Sequence, residues 1–273
     1  MPRPTALHAV YTRLLAHIME ELTEEQIKLG FWYWNREPKF PPPTITKVED
    51  YHPKSKLNLS ITQLDKTPKE QNKIIDQWCE LLPTLTDVKY LWFCSRVNQK
   101  IFDAACRVPN LEGLYIKWSG IKDISNLCQM KSLKHLHLGS SAQVEGIDVL
   151  SGLGNLMTLN LEQLNKINDF SPVSSLVNLQ GLGIDGGMWT AQKIASLKPI
   201  GSLTKLKYLT LINTRAQDKP FEPILHLKEL VRFNSSWNYP EAEFKKLKSL
   251  PNLKYGNVET SLKEIKESYQ LKQ

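Results

Sequence analysis

Residues 111–138 read LEGLYIKWSGIKDISNLCQMKSLKHLHL. One phrase occurs in it twice: Leu111-x-x-Leu114-x-Ile116 and, 22 residues on, Leu133-x-x-Leu136-x-Leu138. The phrase recurs at Leu156-Leu159-Leu161, Leu179-Leu182-Ile184 and Leu206-Leu209-Leu211. An earlier copy is Val88-Leu91-Phe93, and weaker ones are Leu230-Phe233-Ser235 and Leu253-Gly256-Val258. Successive copies are offset by 23, 22, 23, 23, 27, 24 and 23 residues. Self-similarity at such a period marks a repeat architecture. A second phrase fills the intervals: Ile121-x-x-Ile124-x-x-Leu127, Ile147-x-x-Leu150-x-x-Leu153 and Ile167-x-x-Phe170-x-x-Val173-x-x-Leu176.

In L-x-L the two apolar side chains leave one side of a strand and the middle residue leaves the other. The second phrase, apolar at every third position, suits a turn of 3₁₀ helix or irregular coil on the return path. One such coil cannot bury its own apolar face, but a stack of them makes a continuous core. The expected fold is therefore an α/β solenoid, a horseshoe with a concave parallel β-sheet and a helical and irregular convex side.

The pattern resembles the leucine-rich repeat family, L-x-x-L-x-L-x-x-N/C-x-L. IKDISNL (121–127) and INDFSPVSSL (167–176) are most similar to the short repeats of bacterial internalin-type proteins. The resemblance covers residues 85–258 or so. It implies a scaffold for binding other proteins, acting as an inhibitor, immunity factor or adaptor. One feature departs from the family. Its asparagine, three positions after the L-x-L, is replaced by Ser119, Ser141, Leu164, Gly187 and Thr214. The turn ladder is therefore expected to be irregular, above all near Leu164 and Gly187.

The flanks predict atypical caps. Residues 1–56 read as an N-terminal cap, residues 57–258 as the solenoid and residues 259–273 as a capping helix. Leu7, Val10, Tyr11, Leu14, Leu15, Ile18 and Leu22 lie on one face of a helix over residues 6–22. FWYWNREPKF (31–40) reads either as a hydrophobic lid on the first coil or as an aromatic contact patch. Pro41-Pro42-Pro43 reads as a stiff connection. LNLSI (57–61) alternates like a strand, and Thr67-Pro68-Lys69-Glu70 is a capping box opening a helix to about Leu82. A second convex helix is expected over residues 98–107, and Ser261 with Glu264 opens the last one.

No stretch of about 18 apolar residues exists, so no membrane span is expected. The N-terminus lacks the apolar run of a signal peptide. Cys79, Cys94, Cys106 and Cys128 form no C-x-x-C pair and match no zinc spacing. They read as reduced thiols in a cytoplasmic monomer. The net charge of +7 arises after residue 84, where 24 basic residues face 17 acidic ones. There is no polybasic run of the kind that reads as a nucleic-acid patch.

No catalytic constellation is present: no phosphate-binding glycine loop, no G-x-S-x-G, no H-E-x-x-H. No cofactor is expected. His135-x-His137 is the best metal candidate, but two ligands are too few, with only Glu162 diagonally near. Neither histidine is therefore assigned a metal. Both are expected on the solvent side of one strand.

Register then selects the concave surface. The middle residues of the L-x-L copies are Trp92, Tyr115, His137, Asn160, Gly183, Thr210, Asn234 and Asn257. A parallel row runs Tyr90, Gly113, His135, Thr158, Gly181, Tyr208, Arg232 and Tyr255. Aromatic residues on an open sheet face point to contact with a partner. The expected binding residues are Tyr90, Trp92, Tyr115, Lys117, Trp118, His135, His137, Glu162 and Asp185. The partner is read as a protein; a nucleic acid stacking on the aromatic residues is the alternative. In QGLGIDGG (180–187) the glycines either relieve the 27-residue coil or open a shallow pocket toward Asp185.

Overall fold

The computed structural model describes residues 21–24, 27, 41–218 and 220–258. The helix expected over 6–22, the aromatic segment 31–40 and the capping helix at 259–273 lie outside the described residues, apart from Glu21 and Leu22.

Every copy of L-x-L is a strand. In chain order the strands are β1 (Lys56–Leu59), β2 (Tyr90–Phe93), β3 (Gly113–Ile116), β4 (His135–Leu138), β5 (Thr158–Glu162), β6 (Gly181–Asp185), β7 (Gln192–Ile194), β8 (Tyr208–Leu211), β9 (Thr214–Ala216), β10 (Arg232–Ser235) and β11 (Tyr255–Gly256). Nine of them form one sheet, ordered β1-β2-β3-β4-β5-β6-β8-β10-β11; β7 and β9 pair separately. All the pairings are parallel. The register is the one the repeat dictates: Leu91, Leu114, Leu136, Leu159, Leu182, Leu209 and Phe233 stand side by side. All seven are buried in one continuous core. Each buried leucine contributes about 1.5–3 kcal/mol, and the stack adds one such layer per coil.

The convex side changes character along the solenoid. Its first two coils carry full helices, α1 (Pro68–Leu81) and α2 (Gln99–Ala105). Thr67 Oγ1 accepts from the Glu70 N–H while the Glu70 carboxylate accepts from the Thr67 N–H, so the capping box forms. Ile74, Ile75 and Trp78 bury the inner face of α1, and Trp78 donates its indole N–H to the Thr46 carbonyl at 2.8 Å. Asn98 caps α2 by accepting from the Ile101 N–H. From Ile121 to Leu227 the return path is a 3₁₀ turn in each coil: Ser125–Gln129, Asp148–Gly152, Ser171–Ser175, Lys198–Ser202 and Ile224–His226. A third helix, α3 (Glu241–Lys246), covers Phe221 and Trp237 through Phe244.

The corner before each strand carries an asparagine ladder that the family pattern does not name. Asn110, Asn155, Asn178 and Asn252 each precede the first leucine or its equivalent. Each donates its side-chain N–H to a carbonyl one coil earlier: Thr86, Lys131, Gly154 and Lys228, at 2.8–3.2 Å. Ion pairs at the same corner run from Lys89 through Glu112 to Lys134, at 3.0 and 3.2 Å.

Candidate functional site

The middle residues of β2 to β6 do face the concave side, in the register expected. The face is not open, and this corrects the sequence reading. Trp92, His135, His137, Asn160 and Asp185 are buried, as is Thr158; Tyr90, Tyr115 and Glu162 are half-buried. Lys117 and Trp118 are exposed. The physical reason lies partly in the short spacing of parallel strands, about 4.8 Å, which lets each side chain lie over its neighbour. The His137 ring stacks on Tyr115 at 4.3 Å, and His135 Nδ1 is 2.8 Å from Thr158 Oγ1. The described N-terminal residues also dock along this sheet. Leu22 donates its N–H to Gln180 Oε1, and Leu22 and Ile27 pack against Met157. Glu21 pairs with Lys207 at 2.8 Å.

The pocket anticipated above the glycines is filled. Asn160 Nδ2 and Thr210 Oγ1 both donate to Asp185 Oδ2, at 3.1 and 2.8 Å, and the Ile212 N–H donates to Oδ1 at 2.7 Å. This network lies over Gly183. A Cβ there would stand 2.2 Å from Asn160 Nδ2 and 2.8 Å from Thr210 Oγ1. The missing side chain thus makes room for polar groups of the chain itself rather than for a partner. Burial pushes the Asp185 carboxyl up to about 6, against the pull of its three donors. Burial likewise raises Glu162, its partner in register. His137 is held down, to about 3, by loss of solvent around the imidazole.

The turn ladder breaks where expected and is repaired in an unexpected way. Ser119 and Ser141 hydrogen-bond each other at 2.8 Å, as ladder neighbours should. Leu164 contributes only an apolar side chain and Gly187 contributes none. Gln192 takes their place. Its Nε2 donates to the carbonyls of Leu164, Ile167 and Lys193 at 3.3, 2.8 and 3.0 Å. Gln192 also stands opposite Thr214 in the β7–β9 register, the position the repeat had assigned to Gly187. The extra residues of the 27-residue coil are therefore Gly187 to Ala191, looped out between β6 and β7.

That loop is a tight finger. The Gly187 N–H donates to the Thr190 carbonyl at 2.9 Å and closes the turn. Asn213 holds both legs: its Nδ2 donates to the Gly187 carbonyl at 2.7 Å, and its carbonyl accepts from the Gln192 N–H at 3.0 Å. Gly186 sits so close that a Cβ would lie 2.3 Å from the Asn213 carbonyl oxygen. At the tip Met188 is 84% and Trp189 90% exposed. Trp118 and Ile212, 39% and 45% exposed, sit in the loops after β3 and β8. All four residues thus follow strands of the main sheet and share its C-terminal edge. The signal for the finger lies in the 27-residue offset from Leu179 to Leu206, which contains GGMW at 186–189 and reads equally as a relieved coil or a shallow pocket.

The four cysteines are free: Cys79 and Cys106 buried, Cys94 half-buried, Cys128 exposed. No helix among the described residues is long and apolar enough to cross a membrane.

No family model matches the chain. No curated protein matches it. Among solved structures, an internalin from Listeria monocytogenes is 27% identical, over 56% of this chain and 42% of its own, with a TM-score of 0.48. An internalin C2 from the same species is 24% identical over 66% of this chain and 80% of its own, with a TM-score of 0.46. The plant peptide hormone receptor RGFR1, solved in complex with RGF2, is 15% identical over 65% of this chain and 29% of its own, with a TM-score of 0.45. The chain spans less than half the length of the first of these. Its own geometry is decisive: with one parallel strand per copy of the repeat and a buried leucine row on the inner side of the sheet, the chain is a leucine-rich-repeat solenoid.

Proposed function

We propose that this chain is a non-catalytic protein-binding solenoid whose partner meets the C-terminal edge of the main sheet. One observation carries the reading: Trp118, Met188, Trp189 and Ile212 are all exposed on that edge. Large apolar side chains gathered on one surface mark interaction sites. The concave floor offers less, since Trp92 and His137 are buried and Tyr115 is stacked against His137. The same burial weakens the nucleic-acid reading, which needs open aromatic faces on which bases can stack. Lys117 and Trp118 remain available beside the edge. Activity by occupancy of another protein, as an inhibitor, immunity factor or adaptor in a cytosol, fits a site built of contact area rather than of reactive groups.

The test is affinity capture from an extract of the source cells, with the full chain as bait. The control bait carries Trp118→Ser, Met188→Ser, Trp189→Ser and Ile212→Ser together. A stoichiometric protein retained by the wild type and lost from the control, with unchanged melting of the bait, supports the reading. Equal retention by both baits rejects the edge. Retention of nucleic acid instead, released steeply by salt, rejects the protein partner.

A further inference from the structure

We infer that the finger Gly187–Ala191 is the anchor of that contact, inserting Trp189 and Met188 into an apolar cavity of a protein partner whose rim carries carboxylates. The inference rests on the protein-binding reading above and adds to it the residue that dominates and the chemistry of the surface that receives it.

Three observations lead to this. The first is that nothing in the fold requires apolar residues at the tip. The Gly187–Thr190 turn closes through backbone atoms, and glycine, serine or asparagine would serve there equally. Met188 and Trp189 bury almost nothing in the chain itself, at 84% and 90% exposure. Solvation of a bare tryptophan and methionine is unfavourable, and burial in a partner recovers that cost.

The second is that the finger is already fixed. Asn213 clamps both legs, Gly186 packs directly on its carbonyl, and the space a Cβ would take at Gly187 is 2.7 Å from Gln163. Asn213 holds a left-handed backbone, φ 49°, which asparagine tolerates better than most residues. A tip fixed before binding loses little conformational entropy on binding. Interface hot spots are enriched in tryptophan and sit in well-packed, desolvated pockets.

The third is charge. Lys193 and Arg215 stand directly opposite each other on β7 and β9, both exposed, immediately after the finger. Asp185, two residues before the finger, is buried, and Asp218, the acid nearest Arg215 in sequence, is engaged by Ser196 Oγ and the Leu197 N–H. Glu162 is half-buried on the concave side, where Ser140 Oγ approaches it. The exposed flank of the finger is therefore cationic, and the complementary rim is anionic. A tryptophan beside two cations also suits an anionic lipid surface. Two apolar side chains on one narrow tip are a small area for that purpose, whereas membrane-surface helices bury a whole face. A single cavity matches the tip better.

The test uses the protein retained by the wild-type bait, purified and titrated by calorimetry against full-length variants. Trp189→Ala is expected to weaken binding by ~30-fold or more, the scale of a hot spot. Met188→Ala is expected to weaken it less, and Trp118→Ala least. Lys193→Glu with Arg215→Glu is expected to weaken binding several-fold at 50 mM salt and much less at 300 mM, because exposed charges are screened. Thermal melting of all four variants should match the wild type. Affinity within about threefold of wild type for Trp189→Ala overturns the anchor; if Trp118→Ala abolishes binding instead, the edge reading stands without the finger. A charge reversal that tightens binding overturns the acidic rim. Wild-type protein that sediments with phosphatidylserine–phosphatidylcholine vesicles, through Trp189, assigns the finger to lipid and overturns the protein cavity. If the wild-type bait retains no protein, the protein-binding reading falls, and the anchor with it.

Discussion

The imidazole of His137 lies flat against the phenol ring of Tyr115, with centroids 4.3 Å apart and planes 16° from parallel. His137 is 2% exposed, and the Asn160 side chain beside it favours the charged form too weakly to offset the loss of solvent. The histidine therefore stays neutral in the fold down to about pH 3, whereas in the unfolded chain it takes up a proton near 6.5. Between those values the unfolded state binds more protons, so stability falls as the pH is lowered through that window. His137→Phe keeps a stacking ring and removes the titration. Denaturant melts from pH 7 to pH 4 should show a shallower acid loss for this variant than for the wild type. At pH 7, His137→Ala should cost about 1–3 kcal/mol, the range for a buried contact rather than for an exposed strand position.

Asp185 acts in the opposite sense. Its folded value of about 6 lies above the ordinary 3.8, so between these values the folded state holds the extra proton. Stability from this group rises as the pH falls from 6 to 3.8, by up to about 3 kcal/mol, and the cost of its charge is fully present above pH 6. Asp185→Asn removes that gain. Its stability should fall more steeply than the wild type's between pH 6 and 4, while His137→Phe falls less steeply. Parallel curves for the wild type and Asp185→Asn would show that Asp185 titrates normally.

How far these features were readable depends on what encodes them. The strand rows were readable because a one-residue slip would turn every leucine outward, so the L-x-L phrase admits one register. Leu136 buried and Tyr115 in the facing row follow from that alone. The openness of the facing row did not follow, because it depends on what lies over it. His137 is polar by type and buried by its neighbours. The asparagine ladder was readable in principle as Asn-Leu at 110–111, 155–156, 178–179 and 252–253, but the family pattern places its asparagine at the other corner. The role of Gln192 was hidden by the loop before it. Five residues looped out shift the ladder position from Gly187 to Gln192, and no count from the previous leucine can locate the return. The same excursion hid Met188 and Trp189, which fall outside any row.

Gln192 gives a sharp test of the repaired ladder. Gln192→Leu keeps roughly the volume and the buried position, but it takes the donor from the Ile167 carbonyl, while the Leu164 carbonyl keeps the Ile167 N–H at 2.9 Å. A buried group left unsatisfied costs about 1–3 kcal/mol, and a loss on that scale is expected in urea melts. Lys193→Leu, one position on and exposed, should change stability by less than about 0.5 kcal/mol. Equal effects would mean that solvent replaces the Gln192 donor without cost.

The glycine at 183 tests whether the concave floor is a packed polar layer. Gly183→Ala places a Cβ where Asn160 Nδ2, Thr210 Oγ1 and Asp185 Oδ2 now stand, at 2.2, 2.8 and 3.1 Å. Something must move, and overpacking of this kind costs about 1–3 kcal/mol. Asn160 is the first to yield, because its amide is nearest. Asn160→Ala alone removes one donor from Asp185, which raises that carboxyl further and costs stability at neutral pH. The double variant, Gly183→Ala with Asn160→Ala, removes the closest of these clashes and leaves only the one with Thr210 Oγ1 at 2.8 Å to be relieved. Residues in contact couple by about 0.5–3 kcal/mol, and here the sign is fixed: the double variant should be more stable than the sum of the two single losses predicts. Urea melts of the wild type, the two single variants and the double variant at pH 7 close the cycle. Additive losses would mean that the alanine methyl finds open space above residue 183, and the shallow pocket over Asp185 would return as a place for a partner's side chain.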